Sequence, residues 1–188
     1  MRNANHETIV YSGKIFEVVQ QKRDINGREV IYEIARRSPG MRLLIVKEKT
    51  MLITKEYRAE LSGYDYRLPG GKVFDTLKEY HETIGSAGDI LHHAITAATR
   101  ECIQETGLVP KKITPYQIAK AGATIEWDLF YFVIDEFEAG KQDLEEGEDI
   151  TVSWKSFDEV RELCVTNQIS EDRTVGVLLR YLEDAKSQ

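Results

Sequence analysis

Residues 97–108 read Ala97-Ala98-Thr99-Arg100-Glu101-Cys102-Ile103-Gln104-Glu105-Thr106-Gly107-Leu108, and this stretch decides the fold. Apolar residues at Ala94, Ile95, Ala98, Cys102 and Leu108 recur at roughly helical spacing, with good helix formers between them. Gly107 followed by Pro110 supplies a stop, so one amphipathic helix is expected. Glu101 and Glu105 stand four apart, which sets their carboxylates one above the other on one face, with Gln104 beside them and Arg100 next in sequence. Two carboxylates so placed repel each other unless a cation lies between them. Taken alone, the pair reads as the solvated face of a surface helix; what overturns that reading is Arg67-Leu68-Pro69-Gly70-Gly71 upstream.

Together the two stretches resemble the signature box of the Nudix hydrolases, G-x5-E-x7-R-E-U-x-E-E-x-G-U, in which U is aliphatic. Arg100 to Leu108 matches its second half at every fixed position but two: Cys102 stands where an aliphatic residue is usual, and Gln104 replaces the first of the paired glutamates. Leu68-Pro69-Gly70-Gly71 supplies the start of the box. Residues 72–99 separate the halves, 15 positions more than the box allows, so an insertion interrupts it. His92 occupies the position of the box's first glutamate, and Asp89, after Gly88, is the other residue that could stand in for it.

The resemblance implies an α/β fold, a Nudix α/β/α sandwich with a mixed central sheet. It divides the chain into an N-terminal strand region, 1–36, expected to dimerise, and a hydrolase domain, 37–188. Glu56-Tyr57-Arg58 is similar to the Gln-Tyr-Arg of the branch acting on ADP-ribose and related ADP-sugars. The implied activity is hydrolysis of the diphosphate bond of a nucleoside diphosphate sugar to a nucleoside monophosphate and a sugar phosphate, with Mg2+, or Mn2+ in its place. By the same resemblance Glu101 and Glu105 are metal ligands, joined by the Gly70 carbonyl and by Gln104 through its amide oxygen, and Arg100 orients a box carboxylate. Hard carboxylate oxygens with room left for water and substrate suit such an ion. Arg58, Arg67 and Gly71 are the expected substrate contacts; a guanidinium fork suits a diphosphate, though a surface ion pair accounts for Arg58 equally well. The general base belongs on the acidic loop Leu144-Glu145-Glu146-Gly147-Glu148-Asp149, at Glu146 or Glu148, unless that loop is merely solvated. The alternative function is a weak or inactive binding module of the same fold that holds such a nucleotide without cleaving it.

Composition narrows the partners. The net charge of −7 is carried by residues 135–149, which hold eight acids and one base, so the rest of the chain is neutral. With no basic surplus to neutralise a phosphate backbone, nucleic acid is not an expected partner. No apolar run is long enough to span a bilayer, and the polar start Met1 to His6 lacks the apolar centre of a signal peptide, so a cytoplasmic protein without a membrane partner is expected. Two cysteines, Cys102 and Cys164, give neither a disulfide framework nor a metal spacing.

Along the chain, 8–23 and 28–36 read as extended segments around an Asn26-Gly27 hairpin signal. Residues 42–47 and 51–54 read as paired strands, and the inserted segment Phe74 to His93 as a short helix over 76–82 with a joint at Gly85 to Gly88. A metal site made of His81, His92 and His93 has no established ligand spacing, so surface histidines are expected. Strands are expected at 113–119, 126–134 and 150–154. Ser156 with Glu159 forms a capping-box start, and a final helix follows Ser170.

Overall fold

The computed structural model describes residues 7–186; the polar start Met1 to His6 lies outside them. The chain begins with β1 (Glu7–Ser12), β2 (Phe16–Ile25) and β3 (Arg28–Arg37), followed by β4 (Gly40–Lys47), β5 (Thr50–Arg58) and β6 (Gly63–Arg67). Helices α1 (Leu77–Gly85) and α2 (Ile90–Thr106) lead to β7 (Leu108–Pro110), β8 (Thr114–Ala119), β9 (Ile125–Glu126), β10 (Leu129–Ile134) and β11 (Phe137–Ala139). β12 (Ile150–Ser156), α3 (Phe157–Val165) and α4 (Asp172–Asp184) complete it.

Two-residue alternation builds the centre. Along β4, Met41, Leu43 and Ile45 face Leu77, Tyr80, Ala94, Ala98 and Cys102 of α1 and α2, while Leu44 and Val46 face Val160, Leu163, Val177 and Leu178 of α3 and α4. β10 repeats the pattern, with Phe130, Phe132 and Ile134 on the first face and Leu129 and Tyr131 on the second. The sheet runs β12-β5-β4-β10-β8, with β6 also paired to β5. β10 is parallel to β4, and the other pairings are antiparallel, so the sheet is mixed. The expected α/β/α sandwich is what forms. Because both faces of β4 and β10 are covered, they read in sequence as unbroken apolar runs.

Helix ends follow their local chemistry. Ser156 accepts from Glu159 N while the Glu159 carboxylate accepts from Ser156 N, the expected capping box of α3. Thr76 caps α1, which extends the expected short helix to Gly85. α2 starts four residues before Ala94, capped by Asp89, whose carboxylate accepts from Leu91 N. That use fixes Asp89 at the exposed start of the helix, 12 residues and about 18 Å from Glu101.

Two expectations from the sequence need correction. The segment 8–23 is two strands, turned at Gly13, whose N–H donates to Phe16 O. The run 126–134 breaks at Trp127-Asp128, because β9 leaves the central sheet to pair in parallel with Ala35 and Arg36 of β3. Strands β6, β7 and β11 were not anticipated. The hairpin at Asn26-Gly27 forms as read, both residues at positive φ (56° and 78°).

The outer sheet, β1-β2-β3-β9, therefore contains residues from the middle of the chain. It is held at Arg36, whose guanidinium, 8% exposed, meets Glu126 at 2.6 Å, Glu7 at 3.0 Å and Glu17 at 3.2 Å. His81 of α1 also reaches Glu17, at 3.2 Å, while the ring of His93 lies 5.0 Å from that of Phe74 and 6.2 Å from that of His92. Removing Arg36 would leave three carboxylates without their shared cation. Arg36→Ala is expected to cost about 3–5 kcal/mol, read as a lowered urea midpoint. An unchanged midpoint would show that this cluster does not hold the outer sheet.

Candidate active site

The stretches Leu68 to Gly71 and Arg100 to Leu108 meet in space although residues 72–99 separate them in sequence. After β6, Pro69 and Gly71 turn their carbonyls to β4, accepting from Leu43 N at 2.9 Å and Met41 N at 3.0 Å. This zips the loop onto the strand. Gly70 sits at φ +148°, where a Cβ would lie 2.2 Å from the Met41 carbonyl oxygen, and a Cβ on Gly71 would lie 2.8 Å from the Glu101 carboxyl carbon. Neither position has room for a side chain. What excludes a side chain at Gly70 is the backbone of β4, and at Gly71 the carboxylate of Glu101.

On the other side of the loop, Gly70 N–H donates to Glu105 Oε2 at 2.8 Å, and Arg100 Nη2 donates to Glu101 Oε1 at 2.9 Å. α2 ends at Gly107 in the left-handed conformation (φ 69°). Its last carbonyls are satisfied by the acidic loop: Asp143 N donates to Gln104 O, Gln142 Nε2 to Glu105 O and Gly140 N to Gly107 O. Further along, Gly147 takes φ 91°, and Glu145 and Glu148 bond each other across the turn. Asp149 is fixed by Tyr64 OH at 2.7 Å.

These elements enclose a cleft of about 510 Å³. Glu101, Glu105, Arg100, Arg58, Arg67, Gly70, Gly71 and Glu148 all line it, so most residues singled out from sequence are brought together. Gln104 and Glu146 are not among the lining residues, and Glu145 is. Arg58 is both in the cleft and ion-paired, to Glu60 at 2.6 Å and Glu56 at 2.9 Å, while Arg67 leans on Asp65 at 3.4 Å. Sequence reasoning missed Arg37, Arg42, Glu56, Trp127 and, behind them, Glu171. Arg42 carried a usable signal, as the one charge inside the apolar run Met41 to Val46. It is buried and bonds Glu171 at 3.2 Å; burial would raise the Glu171 carboxyl, but Arg42, Thr174 and Arg173 hold it below its ordinary value.

Glu105 behaves differently. Burial pushes its carboxyl up to about 8 despite the Gly70 N–H, and the charge of Glu101 adds to the rise. An anion is thus disfavoured there by desolvation and by repulsion, and a divalent cation beside both carboxylates would remove each penalty. Two carboxylates on one helix face, with backbone oxygens nearby, suit an ion that completes its shell with water and substrate phosphate. Among the described residues no cluster of three or more His, Cys, Asp or Glu is gathered for a metal. Burial also raises both thiols, to about 11, so neither cysteine is activated.

A solved structure described as an ADP compounds hydrolase matches with a TM-score of 0.70, covering 97% of this chain and 93% of its own at 18% identity. The likeness shows the fold. No family model matches the sequence, and no curated protein does. No helix among the described residues is long and apolar enough to cross a membrane.

The raised Glu105 carboxyl gives a signed expectation for the metal-free protein. Between its ordinary 4.5 and about 8 the folded chain holds a proton that the unfolded chain releases, so this group's support is complete below 4.5 and falls as pH climbs to 8. Glu105→Gln keeps an acceptor for Gly70 N–H but cannot ionise. In EDTA it should be more stable than wild type at pH 9, on the order of 3 kcal/mol, and equal to it near pH 4. Parallel stability curves for the two proteins would show that Glu105 is not held protonated.

Proposed function

We propose that the protein is a divalent-metal-dependent hydrolase of the diphosphate bond in a nucleoside diphosphate sugar, ADP-ribose or a related compound. The observation that carries this is the placement of Glu101 and Glu105 against the Pro69-Gly70-Gly71 loop, in a cleft also lined by arginines. The neighbour of like fold is described as acting on ADP compounds, which agrees with a nucleotide substrate. Mg2+, or Mn2+, would be held by Glu101, Glu105 and the Gly70 carbonyl; Gln104, which the sequence resemblance would add, does not line the cleft. Bound there, the ion supplies charge neutralisation of the phosphates and a more acidic water.

The protein's own groups do the rest. Arg100 orients Glu101 through its 2.9 Å bond. Arg58 and Arg67 present guanidinium donors to the phosphate oxygens, each already aligned by acidic neighbours. Glu148 takes the proton of the attacking water; Glu146, on the same loop, is the alternative base. The loop is anchored at Gly140 to Asp143 and at Asp149, and Gly147 lets the stretch between move toward substrate. Gln104 carries no charge, but it does not line the cleft, so its neutrality does not count against catalysis.

Incubation with Mg2+ and a panel of sugar nucleotides should release nucleoside monophosphate. Glu101→Gln and Glu105→Gln should each lower that rate by on the order of 100-fold while the protein stays folded, since each removes a charge from the metal site. Binding of a sugar nucleotide with no release across the panel would select the binding-only reading.

The protein is also proposed to be a homodimer built through the outer sheet. Every residue of β1 is exposed, including Ile9, Val10 and Tyr11, and Ile31 on β3 is 53% exposed. Light scattering at micromolar concentration should give twice the chain mass of 21.6 kDa. A mass of one chain rules the dimer out.

A further inference from the structure

Helices α1 and α2 leave a second groove between them, of about 580 Å³, which adjoins the cleft. Asp75 and Arg100 line both spaces, so one ligand can run from the cleft into the groove past these two side chains. The floor of the groove is apolar. Val73, Phe74 and Ala97 are buried beneath it, and the ring of His93 stands 5.0 Å from that of Phe74.

Its walls are rich in hydrogen-bond acceptors and poor in donors. Thr83 Oγ1 donates to Glu79 O at 2.9 Å, Ser86 Oγ to Thr83 O at 3.1 Å and Thr96 Oγ1 to His92 O at 3.1 Å. Each hydroxyl has thus spent its one proton on the backbone and presents only lone pairs to the groove. Asp75, Glu79 and Glu82 add carboxylates, which donate nothing when ionised. Glu79 Oε2 accepts from Asp75 N–H at 3.2 Å, and a carboxylate so bonded still has lone pairs to offer. On the donor side stand the imidazole of His93 and, at the shared rim, Arg100, which already gives one N–H to Glu101. The cleft has the opposite character, since Arg42, Arg58 and Arg67 face it with guanidinium donors.

A molecule that spans both spaces has one anionic half, rich in acceptors, and one half that brings its own donors and carries no negative charge. We propose that the groove between α1 and α2 is the subsite for the hydroxyl-bearing sugar half of the substrate. This rests on the proposed hydrolysis, which puts the diphosphate in the cleft, and adds where the sugar lies and what selects it. The sugar hydroxyls donate to the oxygens of Thr83, Ser86 and Thr96 and to the carboxylates of Glu79 and Glu82, while the C–H face of the ring covers the apolar floor.

The test compares ADP-ribose with the methyl ester of ADP, which keeps the doubly charged diphosphate and replaces the sugar by a methyl group. Calorimetric titration with Ca2+ in place of Mg2+ reads binding without relying on turnover. ADP-ribose should bind the wild type about tenfold more tightly than the methyl ester. Thr96→Trp, which fills the groove from an exposed position on α2, should abolish that margin. Glu82→Gln, an exposed change on α1, should cut it by about threefold. Equal affinities in the wild type, no binding of either compound, or a margin that survives in both variants overturns the subsite. Release of AMP is followed separately with Mg2+. Release without the binding margin would sink the subsite and leave the proposed activity standing, and the margin without release would do the reverse.

Discussion

A single hydrogen bond, from Gly70 N–H to the buried carboxyl of Glu105, joins the parts of the cleft. On one side of it the loop is bonded to β4 through the Pro69 and Gly71 carbonyls, and on the other α2 is packed into the core through Ala94, Ala98 and Cys102. The bond fixes the height of the helix against the sheet. It also places Glu101 against Gly71, where no side chain could intervene. The architecture thereby holds a carboxyl that is poorly solvated and close to a second one. Such a pair is a standing penalty in the empty protein and an attraction for a cation.

The same economy of position appears in the acidic loop. It belongs to the stretch 135–149 with its eight acids, and just before it Gly140, Gln142 and Asp143 cap the C-terminal carbonyls of α2 with backbone and amide donors. The helix that carries the carboxylates is therefore terminated by the segment that carries the candidate base. Behind the sheet, Asp65 accepts from Ser170 N and Oγ and ties β6 to the segment leading into α4, while Glu171 at that point anchors Arg42 and Arg173. Each face of the sandwich thus contributes to one wall of the cleft.

Much of this was legible in sequence because it obeys strong periodicities. The three-and-four spacing around Ala94 to Cys102 gave the helix, the capping box gave the start of α3, and Asn26-Gly27 gave the hairpin. The run Glu126 to Ile134 misled because Trp127 and the aliphatic and aromatic residues after it favour strand and mask the break at Asp128; nothing local says that β9 crosses to another sheet. Arg37 and Trp127 were invisible as a pair, since 90 positions separate them and only the parallel register of β3 with β9 brings them together. Ion-pair partners such as Glu171 have no local signal of any kind.

The separation of Gly71 from Arg100 has a consequence in polymer terms. The stretch between Gly71 and Arg100 is a closed loop of chain whose ends are pinned together by Glu101 and Glu105, and its closure entropy grows only with the logarithm of its length. Roughly doubling that length costs about 0.6 kcal/mol. α1 more than offsets this, because Leu77 and Tyr80 are buried against β4 and α2, and Thr76 caps the helix. Spacing along the chain is thus a soft variable and contact in space a hard one. The fold that those residues build is matched over nearly its whole length.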